Sequence, residues 1–333
     1  MSASSSTSAS EPIPGTGRRV PPGRALAYLG TALLSGLAAT LLVSAVSWLC
    51  VSRGLIAWQV GALYRYQLAK LESPEPVDVA LLGDSSLGNA VDARAWGAAL
   101  DRRVVSLALT GRYGYEGTRN MLSRLLRRKR PAVVVIVQTL DMATRRPSDA
   151  GAVYTAERLA DLADVPPWRA LATLASLDLP GSALRALLDG GPDVGGLAPL
   201  DYVPQSAGRS KPFRAPPLRP DRLDPRDLAM LREIGATCRA AGVACLYAHG
   251  PYLEPGCSGS ADYVRALDAS IEAAGLHVVA GTPVCLPPED AGDAEDHVAP
   301  GRKDRYSALY LGLVRAALVA EPPSRAGAES PGS

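Results

Sequence analysis

The sequence predicts an α/β domain built on a parallel sheet and tethered by one apolar helix near the N-terminus. Short apolar runs such as Val77–Leu82 and Ala132–Val137 end in glycine or polar turns, the pattern of strands buried on both faces. Segments with helical spacing alternate with these runs, and such alternation implies a parallel sheet covered on both sides. Ahead of them, Ala25–Ser52 contains no charged residue and is rich in Leu, Ala and Val. About 20 apolar residues at 1.5 Å rise cross a hydrocarbon core, so this run is long enough.

Residues 1–24, dominated by Ser, Pro and Gly, read as a disordered cytoplasmic tail. Residues 25–52 read as a transmembrane helix, with Trp48 placed for the far interface. A cleaved signal peptide is the competing reading, and Val43-Ser44-Ala45 offers a small-residue cleavage site. Signal h-regions run only about 7–15 residues, much shorter than this stretch. Arg18, Arg19 and Arg24 precede the span, whereas Arg53, Arg65 and Lys70 are spread out after it. That bias favours a single-pass protein of the cytoplasmic membrane, N-terminus inside and main domain outside. Residues 53–72 continue as a helical stalk carrying Leu55, Ile56, Trp58, Val60, Leu63, Tyr64 and Leu68.

The domain proper spans residues 73–320. Its first strand is Val77–Leu82, followed by helical Val91–Leu100, strand Val104–Leu109, helix Tyr115–Arg128 and strand Ala132–Val137. Met121, Leu122, Leu125 and Leu126 share one face of that helix. The alternation resumes with helix Asp227–Ala241, strand Val243–Tyr247, helix Ala261–Ala274 and strand Leu276–Ala280. A closing helix covers Arg302–Val319, with Tyr306, Leu309, Tyr310, Leu313, Val314 and Ala317 on a common face. Five strands fit a flavodoxin-like sheet, although the sequence leaves their order open. Residues 142–225 break the pattern with helical pieces (Ala156–Ala163, Trp168–Leu177, Ser182–Leu188) among many Pro and Gly. Too long for a bare loop, they read as a helical insertion. Residues 321–333 read as a disordered tail.

Composition narrows the function. With 47% apolar and 20% charged residues the chain is not intrinsically disordered. Lys and Arg number 35 against 33 Asp and Glu, without the basic excess a nucleic-acid partner requires. Gly111, Gly114 and Gly117 enclose Arg112, Tyr113 and Tyr115 with no Gly-Lys-Ser/Thr, so they do not form a phosphate cradle. No metal or cofactor is expected. Arg124, Arg127, Arg128, Lys129 and Arg130 close a helix, where cations are favourable; contact with a polyanion or lipid headgroup is the alternative. Cys50 lies in the apolar segment, and Cys238 and Cys245 form no CxxC. Cys257 and Cys285 sit in Pro-, Gly- and Ser-rich loops, where either a disulfide in an exported domain or two unpaired thiols fit.

The segment Leu81-Leu82-Gly83-Asp84-Ser85-Ser86-Leu87 sets a serine directly after the first strand. Ligands in open α/β sheets bind at the carboxyl ends of strands. There the serine N–H and the following helix N-terminus would favour an oxyanion. An Asp-Ser helix N-cap is the alternative. A serine hydroxyl needs a base, and the chain has 3 histidines. His277 lies in a strand-like run and reads as structural. His249 follows the fourth strand and is a reserve candidate. His297, in the acidic turn Asp293-Ala294-Glu295-Asp296-His297 before the last helix, is the leading one.

Gly83-Asp84-Ser85-Ser86-Leu87 resembles the first block of the SGNH/GDSL hydrolases, with Ser85 at the nucleophile position. Ser106-Leu107-Ala108-Leu109-Thr110-Gly111 is similar to the second block, which implies an oxyanion role for Gly111. His297 matches the last block. Two positions depart from the pattern. Leu140 stands where the family carries an oxyanion-binding asparagine, which leaves Gln138 or Thr139 as substitutes; Asp84, within the first block, is a further substrate-binding candidate. Ala294 stands where the family's aspartate precedes the histidine, so Asp293, or else Asp296, would orient His297. An anchor plus one such domain resembles exported proteins that serve in acylation of envelope polymers. The resemblance implies a serine esterase or O-acyltransferase acting on acylated glycans or similar esters. The rival is a non-catalytic scaffold partnering a membrane acyltransferase.

Overall fold

A computed structural model describes residues 22–52, 59–145, 149–156, 158–162, 165–175, 188, 214–279 and 283–320. The chain divides between Leu42 and Val43 into two units. In the first, the described residues belong to helix α1 (Pro22–Ser52), with Leu26, Leu29, Leu33, Leu34 and Leu37 exposed. Gly23–Val51, 29 residues, is long and apolar enough to cross a bilayer. Tail residues 1–21 and 321–333, stalk residues 53–58 and most of the insertion piece Ser182–Leu188 lie outside the described residues, while residues 22–24 of the expected tail already belong to α1.

The second unit holds the sheet. Strands β1 (Val79–Gly83), β2 (Val104–Ala108), β3 (Val133–Gln138), β4 (Ala244–His249) and β6 (His277–Val278) are all parallel, in the order β2-β1-β3-β4-β6. Counting these five alone, that is the 2-1-3-4-5 order of flavodoxin-like sheets. The central strands are β-branched and leucine-rich because both faces are covered. Ala80, Leu81, Leu82 and Val134–Val137 are wholly buried.

Right-handed crossovers place the helices between β1 and β2 on one face and the later ones on the other. The first face carries α3 (Ser85–Ala90) and α4 (Ala93–Leu100), joined by the closing α10 (Lys303–Ala320). On the second, α5 (Gly114–Arg128), α8 (Pro225–Ala241) and α9 (Ala261–Ala273) pack in sequence. Helix α2 (Gln59–Glu72) adds Gln67, whose amide donates to Ala108 O at 2.7 Å.

Several expectations shift. The helix expected over Val91–Leu100 starts at Ala93, because Asp92 caps it by accepting from Arg94 and Ala95 N–H, and Ser85–Ala90 is a separate helical turn. The fifth strand shortens to two residues, pairing only on its β4 side. In the insertion, α6 (Asp149–Thr155) lies before the expected Ala156–Ala163 helix, of which Leu159–Leu162 forms one 3₁₀ turn. Helix α7 is Pro167–Leu174. On α10, Leu309 is exposed rather than part of the buried stripe.

Cys257 and Cys285 are bonded, joining the turn after β5 (Tyr252–Leu253) to β7 (Cys285–Leu286), and β5 and β7 pair as a small second parallel sheet. A disulfide the sequence did not announce, Cys238–Cys245, spans the turn from α8 to β4. Gly242 reverses the chain there with φ +65°.

Candidate active site

The carboxyl end of β1 fixes the predicted nucleophile. Gly83 has φ +157°, and a Cβ there would stand 1.8 Å from Val137 O, so only glycine lets β1 and β3 meet at this point. Asp84 follows as the cap of α3. Its Oδ1 accepts from Ser86 N at 2.9 Å and from Ser86 Oγ at 2.5 Å, and its Oδ2 accepts from Thr139 N at 3.1 Å. The capping role foreseen as an alternative is therefore present, and it seats Ser85 as the first residue of the helix. Ser85 is 8% exposed. Burial, then the charge of Asp296, pushes the Asp84 carboxyl up to about 6, opposed by the Ser86, Arg145 and Thr139 contacts.

A second loop delivers the histidine. An antiparallel bridge between Ala291 and Val298, with Gly292 N donating to His297 O at 2.6 Å, closes a small loop carrying Asp293, Asp296 and His297. Asp290 anchors its base, pairing with Arg302 at 2.9 Å and accepting from Arg305 and the Tyr306 hydroxyl at 3.1 and 3.0 Å. Just beyond, Lys303 Nζ donates to Gly88 O at 2.9 Å and ties the start of α10 to the serine helix. Within the loop, His297 Nδ1 meets Asp293 Oδ1 at 2.6 Å, while Nε2 faces Asp296 Oδ1 at 3.6 Å.

Arg145 links these parts. Its Nε donates to both Asp141 carboxylate oxygens at 3.0 Å, and its Nη2 reaches Asp296 Oδ2 at 3.3 Å. A Cβ on Gly111 would lie 2.8 Å from Arg145 Nη1, so the guanidinium occupies the space a side chain at 111 would fill. The carboxylates of Asp141, Asp296 and Asp84 push its already high pKa further up against the cost of burial. Arg145 therefore connects the β2 glycine, the β3 aspartate and the histidine loop on one rim, and its charge reaches Asp84 beside Ser85. No hydrogen bond joins Ser85 to His297 among the described residues.

Other predicted groups are engaged elsewhere. Gln138 Nε2 donates to Thr118 Oγ1 of α5 at 2.5 Å. The Thr139 hydroxyl donates to Asp141 Oδ1 at 3.1 Å, and Leu140 is wholly buried. His249 sits in the core with Nε2 against Asp268 Oδ1 at 2.6 Å, and His277 lies on β6. The basic cluster ending α5 works internally: Arg124 Nη2 donates to Thr155 O at 3.0 Å, Arg128 pairs with Glu72, and Lys129 holds the Ser73 and Glu75 carbonyls.

Sequence reasoning missed Arg145 and Asp268. Only the i,i+4 spacing of Asp141 and Arg145 signalled the first. On the far face of the sheet, burial and the nearby Glu116 carboxylate raise the Asp227 pKa to about 8.

No protein-family model matches the chain, and neither does any curated protein.

Proposed function

We propose that this chain is a membrane-anchored SGNH-like serine esterase or O-acyltransferase, acting outside the cytoplasmic membrane on acylated envelope glycans or similar esters. The observation that carries the reading is the His297–Asp293 contact at 2.6 Å, made through Nδ1, on the rim that also bears Ser85 and Gly111. A histidine held by Nδ1 keeps Nε2 for proton transfer. Two disulfides support an oxidising compartment, and the apolar helix Gly23–Val51 supports the tether.

In this reading Ser85 Oγ attacks the ester carbonyl while His297 Nε2 takes the hydroxyl proton. The carbonyl π pair moves to oxygen, and the oxyanion is received by the N–H groups of Ser85 and Gly111. Collapse expels the alcohol, which leaves with the proton from Nε2. Water or a sugar hydroxyl then takes the acyl group by the same steps in reverse. Asp84 holds the helix that presents Ser85, and Asp293 fixes the imidazole tautomer.

A second reading has its own support. Leu140 fills the core where the family's asparagine would act, and the Ser85–His297 bond is not made. Both features suit a non-catalytic SGNH-fold accessory protein beside a membrane acyltransferase. Turnover of p-nitrophenyl acetate by the full chain in detergent separates the two. The esterase reading expects Ser85→Ala and His297→Ala each to lose about 10³-fold or more in kcat. Equal rates in all three proteins establish the accessory reading instead.

A further inference from the structure

We propose that Arg145 is a catalytic residue, supplying through Nη1 the oxyanion contact that Leu140 is unable to make; this rests on the serine-esterase reading above.

The neighbouring donors are committed. The Gln138 amide is turned to Thr118, the Thr139 hydroxyl donates to Asp141, and the Thr139 N–H donates to Asp84. The guanidinium is arranged differently. Asp141 takes Nε through both of its oxygens and also meets Nη2 at 2.8 Å, while Asp296 takes Nη2 at 3.3 Å. Two carboxylates thus grip one edge of the fork and fix its plane. The opposite nitrogen, Nη1, makes no hydrogen bond among the described residues and lies against Gly111, 2.8 Å from where a Cβ would stand. A side chain at position 111 would push the guanidinium away, so the close approach needs a glycine here.

The Arg145 side chain is 33% exposed, open enough to meet a ligand entering at the rim. Its charge survives at any working pH, because the surrounding carboxylates hold the proton on. When Ser85 Oγ bonds to the carbonyl carbon, the displaced π pair settles on an oxygen between Gly111 N–H and Nη1–H. The charge-assisted donor strengthens as that negative charge develops. Asp296 completes the arrangement, since it touches Arg145 through Oδ2 and faces His297 Nε2 through Oδ1. Donor and base are thereby set in one frame.

The test compares wild type, Ser85→Ala, Arg145→Gln, Arg145→Lys and Arg145→Ala, each as the full chain in detergent with p-nitrophenyl acetate. Arg145→Gln and Arg145→Lys are expected to lose about 10²–10³-fold in kcat, with KM within about two-fold. Lysine keeps the charge but has no second nitrogen to offer Gly111, so it decides the matter if the glutamine variant fails to fold. Added methylguanidine should restore part of the turnover of Arg145→Ala without moving its Tm, whereas refilling a merely structural tether would raise Tm and turnover together. Wild-type kcat in the folded lysine variant, or a loss confined to KM, overturns the role of Arg145 and leaves the esterase reading intact. Wild type no faster than Ser85→Ala overturns that reading, and this one with it.

Discussion

Two histidine–carboxylate pairs, His249–Asp268 and His297–Asp293, each meet at 2.6 Å, yet they are built for different ends. His249 bonds its aspartate through Nε2, the nitrogen at the tip of the ring, and its Nδ1 has no partner in the core. Its side chain is 1% exposed, lies edge-on to Tyr247, and hangs from a carbonyl that accepts the Tyr310 hydroxyl. His297 bonds through Nδ1 and leaves Nε2 facing Asp296 at 3.6 Å, with its side chain 13% exposed. A short His–Asp contact is therefore a weak sign of a base. What matters is which nitrogen the carboxylate leaves over, and whether anything can approach it.

The widest separation between the pairs is expected in turnover. His297→Gln should lose at least about 10³-fold in kcat toward p-nitrophenyl acetate, whereas His249→Gln should stay within about three-fold. The His249 variant should instead lower the Tm by several degrees, because Asp268 loses the partner that compensates its partial burial. Loss of turnover in a folded His249→Gln protein would reverse the assignment.

A finer cut separates the two aspartates. Asp293→Asn keeps the shape of the loop but no longer selects the Nδ1–H tautomer, and about a 10²–10⁴-fold fall in kcat is expected. Asp268→Asn should leave kcat within about two-fold, read in the same assay. Similar losses in both variants would show that neither pair is special.

The smallest effect lies at Asp227 on α8, on the face of the sheet that also carries Asp268. Asp227 titrates at about 8 when folded, well above an ordinary aspartate at about 3.9. Between those values the folded chain holds a proton the unfolded chain releases, so its stability contribution falls as pH rises from about 4 to about 8. Asp227→Asn should flatten this slope, seen as a Tm difference from wild type that grows across that range and levels off above it. A parallel pair of Tm curves would remove Asp227 from the account of stability.

Much of the architecture was readable because burial on both faces writes strands as unbroken apolar runs. Val133–Gln138 is the clearest instance, and the edge strand His277–Val278, with one neighbour, is the least well bounded. Ser85 and His297 stood out by place, one after the first strand and the other before the last helix. Gln138 misled because side chains alternate along a strand, and its parity turns the amide toward α5. Arg145 and Asp268 escaped because their roles come from contacts across 151 and 19 residues respectively, which spacing does not reveal. Cys238 and Cys245 match no motif; they meet only because a helix stops at Gly242 and a strand starts at once.

The bond between Cys257 and Cys285 makes the placement of the histidine loop depend on redox state. It closes a loop of sequence separation 28 and pins the segment that leads into the Asp290–Val298 turn, whereas Ser85 is held by Gly83, the Asp84 cap, the Lys303–Gly88 contact and the core. Under reducing conditions the segment before that turn loses this tie, while the strand end and cap that seat Ser85 need no disulfide. Full assembly of the rim is thereby coupled to an oxidising environment.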